Sequence, residues 1–211
     1  MVSQSMADDH GVSEARVRAG RALRELSHAV VGRHADDELL NEVANTLSGL
    51  VDRLGRGERR TRQAENFQQR HMEPLPAEGE AFETYPDRPY SGSASPLGVD
   101  LVVLRRGDEV EAHVTLRAAH EGAPERSHGG VISAVFDDVF GFVLQLNRLP
   151  GFTGELTIRY EAGTPLHREL VLRARMTSKE GRKIFMTGEL SDGATRVASG
   201  RAVFIERELT A

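Results

Sequence analysis

The 211-residue chain contains no cysteine and no tryptophan, and aromatic residues make up only 5% of it. The lack of cysteine excludes disulfides, thiolate metal ligands and a cysteine nucleophile. It is typical of proteins of the reducing cytoplasm, where we expect this one. With so few aromatic rings, a platform on which nucleic-acid bases stack is disfavoured. The net charge of −5 points the same way, so we expect no nucleic-acid partner.

Signals for membrane targeting or insertion are also missing from the sequence. The first ten residues, Met1–His10, are polar and lack the apolar stretch of a signal peptide. No uninterrupted apolar run approaches the length of a membrane-spanning helix. We therefore expect no membrane partner.

Three regions of different composition follow one another along the chain. Residues 1–73 are a predicted helical extension, with apolar residues at three- and four-residue steps in two helices at about 13–32 and 36–56. Residues 74–98 contain five of the eight prolines and predict an extended linker. In residues 99–207, apolar and polar residues alternate as in half-buried strands. The length therefore favours one domain with a full core and an appendage.

Within residues 99–207 the pattern predicts two strands, a helix and four more strands. The helix after His128 is apolar on nearly every face, so other structure must wrap it. Gly181 and Asp192–Gly193 are typical of hairpin turns, so we expect the last four strands to form a meander. The chain is thus predicted to have an α+β fold. Its six-stranded antiparallel sheet would wrap around a central helix, preceded by the N-terminal helical extension.

Two features of the central helix point to chemistry. Asp137 and Asp138 are adjacent in the middle of it, and because consecutive helical positions are about 100° apart, we expect one of them at the wet edge. An unpaired buried Asp is costly, so a chain that keeps one there is predicted to use it. Gly129 and Gly130 open the helix, where free N–H groups can face developing negative charge.

Several segments then match a known pattern. They are Glu121–Pro124 (EGAP), the HGG of residues 128–130 with Asp137 nine residues after the histidine, residues 153–160 (TGELTIRY), residues 179–185 (KEGRKIF) and the closing strand 198–205. Over roughly residues 90–207 the chain resembles the acyl-CoA thioesterases of the phenylacetate-degradation type and their mammalian relatives. The resemblance implies the hotdog fold and a hydrolase that converts an acyl-CoA thioester to free acid and CoA.

The resemblance also implies roles for catalytic residues. The Gly129 amide would donate to the oxyanion of the tetrahedral intermediate, with His128 positioning the loop or the substrate. Asp137 would act either as a general base on water or as a nucleophile that forms an anhydride. Thr153 lies where relatives carry a Ser or Thr that orients the attacking water, or it is a plain threonine at a strand start.

Candidate contacts to the CoA moiety are Gly130 at the helix start and the cations Arg182 and Lys183, which could bind its phosphates. Cations at a hairpin turn are otherwise simply solvated. The chain departs from the family in one position, because Gly122 stands where relatives often carry an Asn as a second oxyanion donor. That departure concerns turnover more than fold.

A distance along the helix predicts how the site is assembled. Gly129 and Asp137 are eight residues apart, which is about 12 Å of helical rise. Donor and carboxylate must both reach one carbonyl, so two antiparallel helices related by a two-fold axis would share each site. We therefore expect a homodimer, or a tetramer built as a dimer of dimers, and the resemblance implies the same dimeric arrangement.

Other functions remain as alternatives. The remaining histidines show no ligand spacing, so we expect no metal and no cofactor beyond the CoA of the substrate. A non-catalytic acyl-CoA-binding sensor or regulatory hotdog protein is the alternative, because hotdog domains also occur fused to helical DNA-binding segments. Between Glu14 and Arg62, however, ten basic and eight acidic residues are too balanced for a DNA-reading face. An enoyl-thioester hydratase is disfavoured, because it needs an Asp–His pair close together on one helix-loop unit. Here Asp137 follows His128 by nine residues, with no second histidine close behind it. Aryl, medium-chain and long-chain acyl groups all stay open.

Overall fold

The computed structural model describes residues 12–60 and 71–207. The polar N-terminus and the end of the predicted helical extension, residues 1–11 and 61–70, lie outside the described residues, as do residues 208–211. Helices α1 (Glu14–Gly32) and α2 (Asp37–Gly55) lie within two residues of the predicted spans. Each begins at a side-chain cap, because Ser13 and Asp36 accept hydrogen bonds from backbone N–H groups of the first turn.

One antiparallel sheet and one long helix form the domain that follows the linker. Their bounds are β1 (Asp100–Arg106), β2 (Glu109–Thr115), α3 (Gly129–Leu146), β3 (Gly151–Tyr160), β4 (Glu169–Glu180), β5 (Lys183–Asp192) and β6 (Thr195–Glu206). The six strands lie in the order β1-β2-β4-β5-β6-β3. The predicted α+β fold, with a six-stranded antiparallel sheet and a central helix, is confirmed.

The position of β3 differs from the prediction. The last four strands were expected to form a meander, but only β4, β5 and β6 do so, and β3 pairs with β6 at the far edge. The physical reason is α3, which contacts β1, β2, β3 and β4 and carries the chain across the inner face of the sheet. β3 therefore begins at the edge opposite β1, and the later strands fill the space between.

Helix α3 is the centre of the hydrophobic core. Three phenylalanines, Phe136, Phe140 and Phe142, are fully buried, each contributing roughly 2–3 kcal/mol by removal from water. Contrary to the expectation from the sequence, α3 has the length and composition of a membrane-spanning helix. More than half of it is buried inside the protein, as in the core helix of a soluble fold.

The proline-rich linker covers one edge of the sheet. Phe82 N–H donates to the Val103 carbonyl at 2.8 Å, and Arg105 N–H donates to the Glu80 carbonyl at 3.0 Å. The linker thus pairs with the outer edge of β1. Among the described residues, nothing pairs with the outer edge of β3. A ten-residue open edge is a surface that natural sheets usually cover.

The two N-terminal helices differ in how they meet the domain. The buried residues of α1 are Gly20 and Arg24, and not the apolar stripe on which the sequence prediction relied. A Cβ on Gly20 would overlap the Ala94 carbonyl oxygen, and Arg24 Nη1 donates to the Ser95 carbonyl at 2.7 Å. Helix α2 buries none of its residues.

Candidate active site

The start of α3 is organised by His128. This histidine is the N-cap, and its Nδ1 accepts a hydrogen bond from the Gly130 N–H at 3.0 Å. The neutral ring therefore carries its proton on Nε2, which is left available as a donor. The Gly130 N–H is already used in this cap, whereas the Gly129 N–H donates to no described residue. Of the two glycines, Gly129 therefore has the free amide, and this is the amide to which the resemblance assigned the oxyanion.

Gly122 has a steric explanation. A Cβ at this position would lie 2.8 Å from the His128 Cα, closer than real Cβ atoms approach. Two segments of the loop before α3 therefore come into contact at a position where only glycine fits. This explains the departure from the family pattern in terms of local packing.

Tyr160 is a residue that the sequence prediction missed. At the end of β3, its hydroxyl donates to the Gly129 carbonyl at 2.8 Å and lies 2.8 Å from the Ser133 Oγ. The ring packs so closely that a Cβ on Gly129 would lie 3.1 Å from it. Tyr160 thus holds the first turn of α3 against β3 while remaining 50% exposed. No periodicity in the sequence could indicate this, because the contact joins two separate elements.

Asp137 and Thr153 are brought together. Thr153 Oγ1 donates to Asp137 Oδ1 at 2.7 Å. Thr153 lies at the start of β3, where the register with β6 shifts between Thr153 and Glu155. Such bulges redirect side chains and are frequent next to active sites. Half-buried Asp137 is therefore oriented by one hydrogen bond and keeps a second oxygen for other partners.

Of the two adjacent carboxylates, which the sequence did not distinguish, Asp138 is the buried one and Asp137 is half-buried. The Asp138 side chain is 9% exposed, and its partner is Arg88 of the linker, whose Nε and Nη2 lie 3.1 Å and 3.0 Å from Oδ1. Arg88 also donates to the Asp138 carbonyl at 2.8 Å and stacks over Phe142 at 4.1 Å. A Cβ on Gly141 would lie 2.6 Å from Arg88 Nη2, so glycine makes room for the guanidinium.

A cavity of about 260 Å³ lies beside the Asp137–Thr153 and Arg88–Asp138 pairs. It is lined on its polar side by Asp137, Asp138, Arg88, Gln145 and Thr153, and on its apolar side by Leu144, Phe152 and Phe204. Neither His128 nor Gly129 is among the described residues that line it. The carboxylate and the free amide of one chain thus face different spaces.

Arg182 and Lys183 lie in the hairpin between β4 and β5, and both are exposed. Lys183 pairs with Ile205, which in turn pairs with Phe152 of the cavity wall. Two strand spacings correspond to about 10 Å, so the hairpin lies at the same end of the sheet as the cavity. Arg182 Nε donates to the Glu206 carbonyl at 3.1 Å, which ties the turn to β6.

Within residues 12–60 and 71–207, no group of histidine and carboxylate side chains could hold a metal ion. The strongest pKa perturbation close to the loop before α3 belongs to His120, which lies beside His28 of α1 with the ring centroids 4.9 Å apart. Burial, followed by the charges of His28 and Arg117, lowers the pKa of His120 to about 4. His120 is therefore neutral at pH 7, and its Nδ1 accepts from the Arg117 N–H at 3.0 Å.

Comparison with known proteins supports the resemblance. Residues 127–199 match the sequence model of the thioesterase superfamily. No curated protein matches the chain. A crystal structure of a thioesterase superfamily protein superimposes with a TM-score of 0.75 at 25% identity, over 91% of this chain and 95% of that one. Because that coverage exceeds the sheet domain alone, the likeness extends into the N-terminal region.

Two further solved structures align with about half of this chain. A Shewanella loihica thioesterase superfamily protein is 28% identical, with a TM-score of 0.44 over 51% of this chain and 90% of its own. The E. coli PaaI protein of the phenylacetic acid degradation operon is 15% identical, with a TM-score of 0.48 over 50% of this chain and 82% of its own. The match to the thioesterase superfamily model and the structure with a TM-score of 0.75 confirm the resemblance to the hotdog-fold thioesterases.

Proposed function

We propose that the protein is an acyl-CoA thioesterase. The thioesterase match supports thioester hydrolysis in general. The observation that carries the finer proposal is the Thr153–Asp137 hydrogen bond of 2.7 Å at the wall of a cavity large enough for part of a substrate. Asp137 there activates water or attacks the thioester carbonyl itself. Thr153 holds the carboxylate in one orientation, which is a positioning role that either mechanism needs.

The oxyanion donor in this proposal is the Gly129 amide. It lies at the N-terminus of an 18-residue helix, where the helix dipole and unpaired N–H groups favour negative charge. His128 keeps the Gly130 amide engaged and presents its Nε2–H as a second donor to the substrate. A tetrahedral intermediate would thus be held by the Gly129 N–H, with assistance from His128.

We propose that each site is shared between two subunits of a homodimer. Antiparallel pairing of two β3 edges, with the two-fold axis between Leu156 and Thr157, would bring Thr153 of one subunit beside Tyr160 of the other. Because Tyr160 contacts Gly129 and Thr153 contacts Asp137, that pairing would join the donor of one chain to the carboxylate of the other. It would also cover the open edge of β3.

The CoA moiety is assigned to the hairpin of Arg182 and Lys183. Both cations are exposed at the same end of the sheet as the cavity, about two strands from Phe152. They can therefore meet the phosphates while the acyl group enters the cavity. CoA would be bound as part of the substrate.

The test measures free CoA released from a series of aryl and fatty acyl-CoA esters by wild-type protein and two variants. Asp137→Asn should lower kcat by about 10²-fold or more with little change in KM, as loss of a base or nucleophile does. Asp138→Asn is the matched control, and its folded fraction should retain kcat within a few-fold because Asp138 is buried against Arg88.

Three outcomes would count against the assignment. Binding of acyl-CoA without release of CoA from any ester would favour the non-catalytic sensor. An active Asp137→Asn variant would remove Asp137 from the chemistry. An inactive but folded Asp138→Asn variant would transfer the role to the neighbouring carboxylate.

A further inference from the structure

Helix α2 presents an apolar surface that nothing among the described residues covers. Leu50 and Leu54 of α2 are 43% and 79% exposed, although both are large hydrophobic residues. We define the α2 seam as the five residues Leu40, Val43, Leu47, Leu50 and Leu54. All five are partly or fully exposed, and the helix has no buried residue at all. An apolar stripe of this length needs a partner.

The spacing of the seam indicates what kind of partner fits. Its residues follow one another at steps of three, four, three and four, which is a 3.5-residue period over two heptads. That period keeps the apolar side chains facing a second helix rather than a broad sheet surface. Leu39 and Val51 flank the seam and are 50% and 66% exposed, so they widen the contact available to such a helix.

The charges at the two ends of α2 indicate the direction of that helix. Residues 36–42 contain four acidic residues and no basic one, whereas residues 52–60 contain four arginines and two acidic residues. In an antiparallel pair of identical helices, each acidic end would lie beside the basic end of the partner. A parallel pair would instead place like charges and like dipole ends together, which is unfavourable.

We propose that α2 docks antiparallel against α2 of a second copy of this chain. The register that aligns most of the seam places Leu47 against Leu50 of the second copy and Val43 against Leu54. The apolar layers then lie in the middle of the contact, and the oppositely charged ends overlap at its rims. This surface is separate from the active-site cavity, which no residue of α2 lines.

Cysteine cross-linking tests the contact and its direction, because the 211-residue chain has no cysteine of its own. With a short bifunctional maleimide, Leu47→Cys should link to itself, because position 47 lies close to the two-fold axis. Leu40→Cys should link at least about tenfold less, because antiparallel packing separates the two copies of position 40 by about 25 Å. A mixture of Val43→Cys and Leu54→Cys chains should link efficiently between the two variants.

Sedimentation supplies the second measurement. The double variant Leu47→Glu and Leu50→Glu should lose the assembly step that the cross-link reports, with unchanged far-UV circular dichroism. Asn45→Glu adds a charge on the opposite, exposed face of α2 and should assemble like the wild type.

Strong self-linking by Leu40→Cys would mean that the helices run parallel. No link at Leu47→Cys would mean that something other than a second α2 covers the seam. Either result would overturn the proposal.

Discussion

Removal of the Arg88–Asp138 ion pair is predicted to destabilise the protein more than any comparable change on its surface. The Arg88 and Asp138 side chains are only 12% and 9% exposed, and Arg88 links the linker to the middle of α3 through both the carboxylate and the backbone carbonyl. Asp138 Oδ2 is buried and has no hydrogen-bond partner among residues 12–60 and 71–207. The carboxylate therefore depends on Arg88 for its charge compensation.

The magnitude follows from this dependence. Arg88→Met keeps much of the apolar stem over Phe142 but leaves the Asp138 carboxylate buried and unpaired. Breaking a buried pair from one side costs about 3–5 kcal/mol of unfolding free energy. The double variant that combines Arg88→Met with Asp138→Asn no longer buries an unpaired charge. It should therefore recover about 2 kcal/mol relative to Arg88→Met alone.

Urea unfolding at pH 7, followed by circular dichroism, measures these free energies, with the m-value checked for constancy. Arg175→Met is the matched control, because Arg175 pairs with Glu109 on the sheet surface and its side chain is 54% exposed. The control should lose no more than about 1 kcal/mol. If Arg88→Met were as stable as the control, the buried pair would not stabilise the fold, and the link from linker to α3 would have to be reconsidered.

Two further predictions concern assembly and pH. Mixing inactive Gly129→Pro, which lacks the N–H, with inactive Asp137→Ala should restore about a quarter of wild-type activity, because half of the dimers are mixed and each holds one intact site. Gly129→Ala keeps the N–H and therefore controls for the contact with Tyr160. If heterodimers are shown to form but activity does not return, the site lies within one chain. Burial and the charges of His28 and Arg117 lower the pKa of His120 to about 4, so the unfolded chain binds more protons between pH 6.5 and 4. The contribution of His120 to the free energy of unfolding should be fully present above about pH 6.5. It should fall by about 1–2 kcal/mol as the pH is lowered to 4, a range reduced for solvent screening of the partly exposed ring. In urea melts, His120→Asn should flatten that dependence, and an unchanged profile would refute the assignment to His120.

Local patterns were sufficient to predict the elements of this fold. The 3.6-residue and two-residue periods and the turn at Gly181 are properties of short stretches of chain. The two N-terminal helices and the six-stranded sheet were predicted from them. The Gly129–Gly130 start of α3 was predicted as a site for negative charge for the same reason. A helix N-terminus has free N–H groups wherever it lies in the fold.

Contacts between distant segments could not be predicted in this way. The periodicity of α3 did not distinguish Asp137 from Asp138, because burial depends on which side meets Arg88, a residue of the linker 50 positions earlier. The pairing of β3 with β6 depends on where α3 delivers the chain, and only that placement brings Thr153 to Asp137. The sequence by itself therefore determined which segments are helix and strand and which groups could do chemistry. The tertiary structure decided which of those groups meet, because hydrogen bonds and burial depend on distances between elements that no local period encodes.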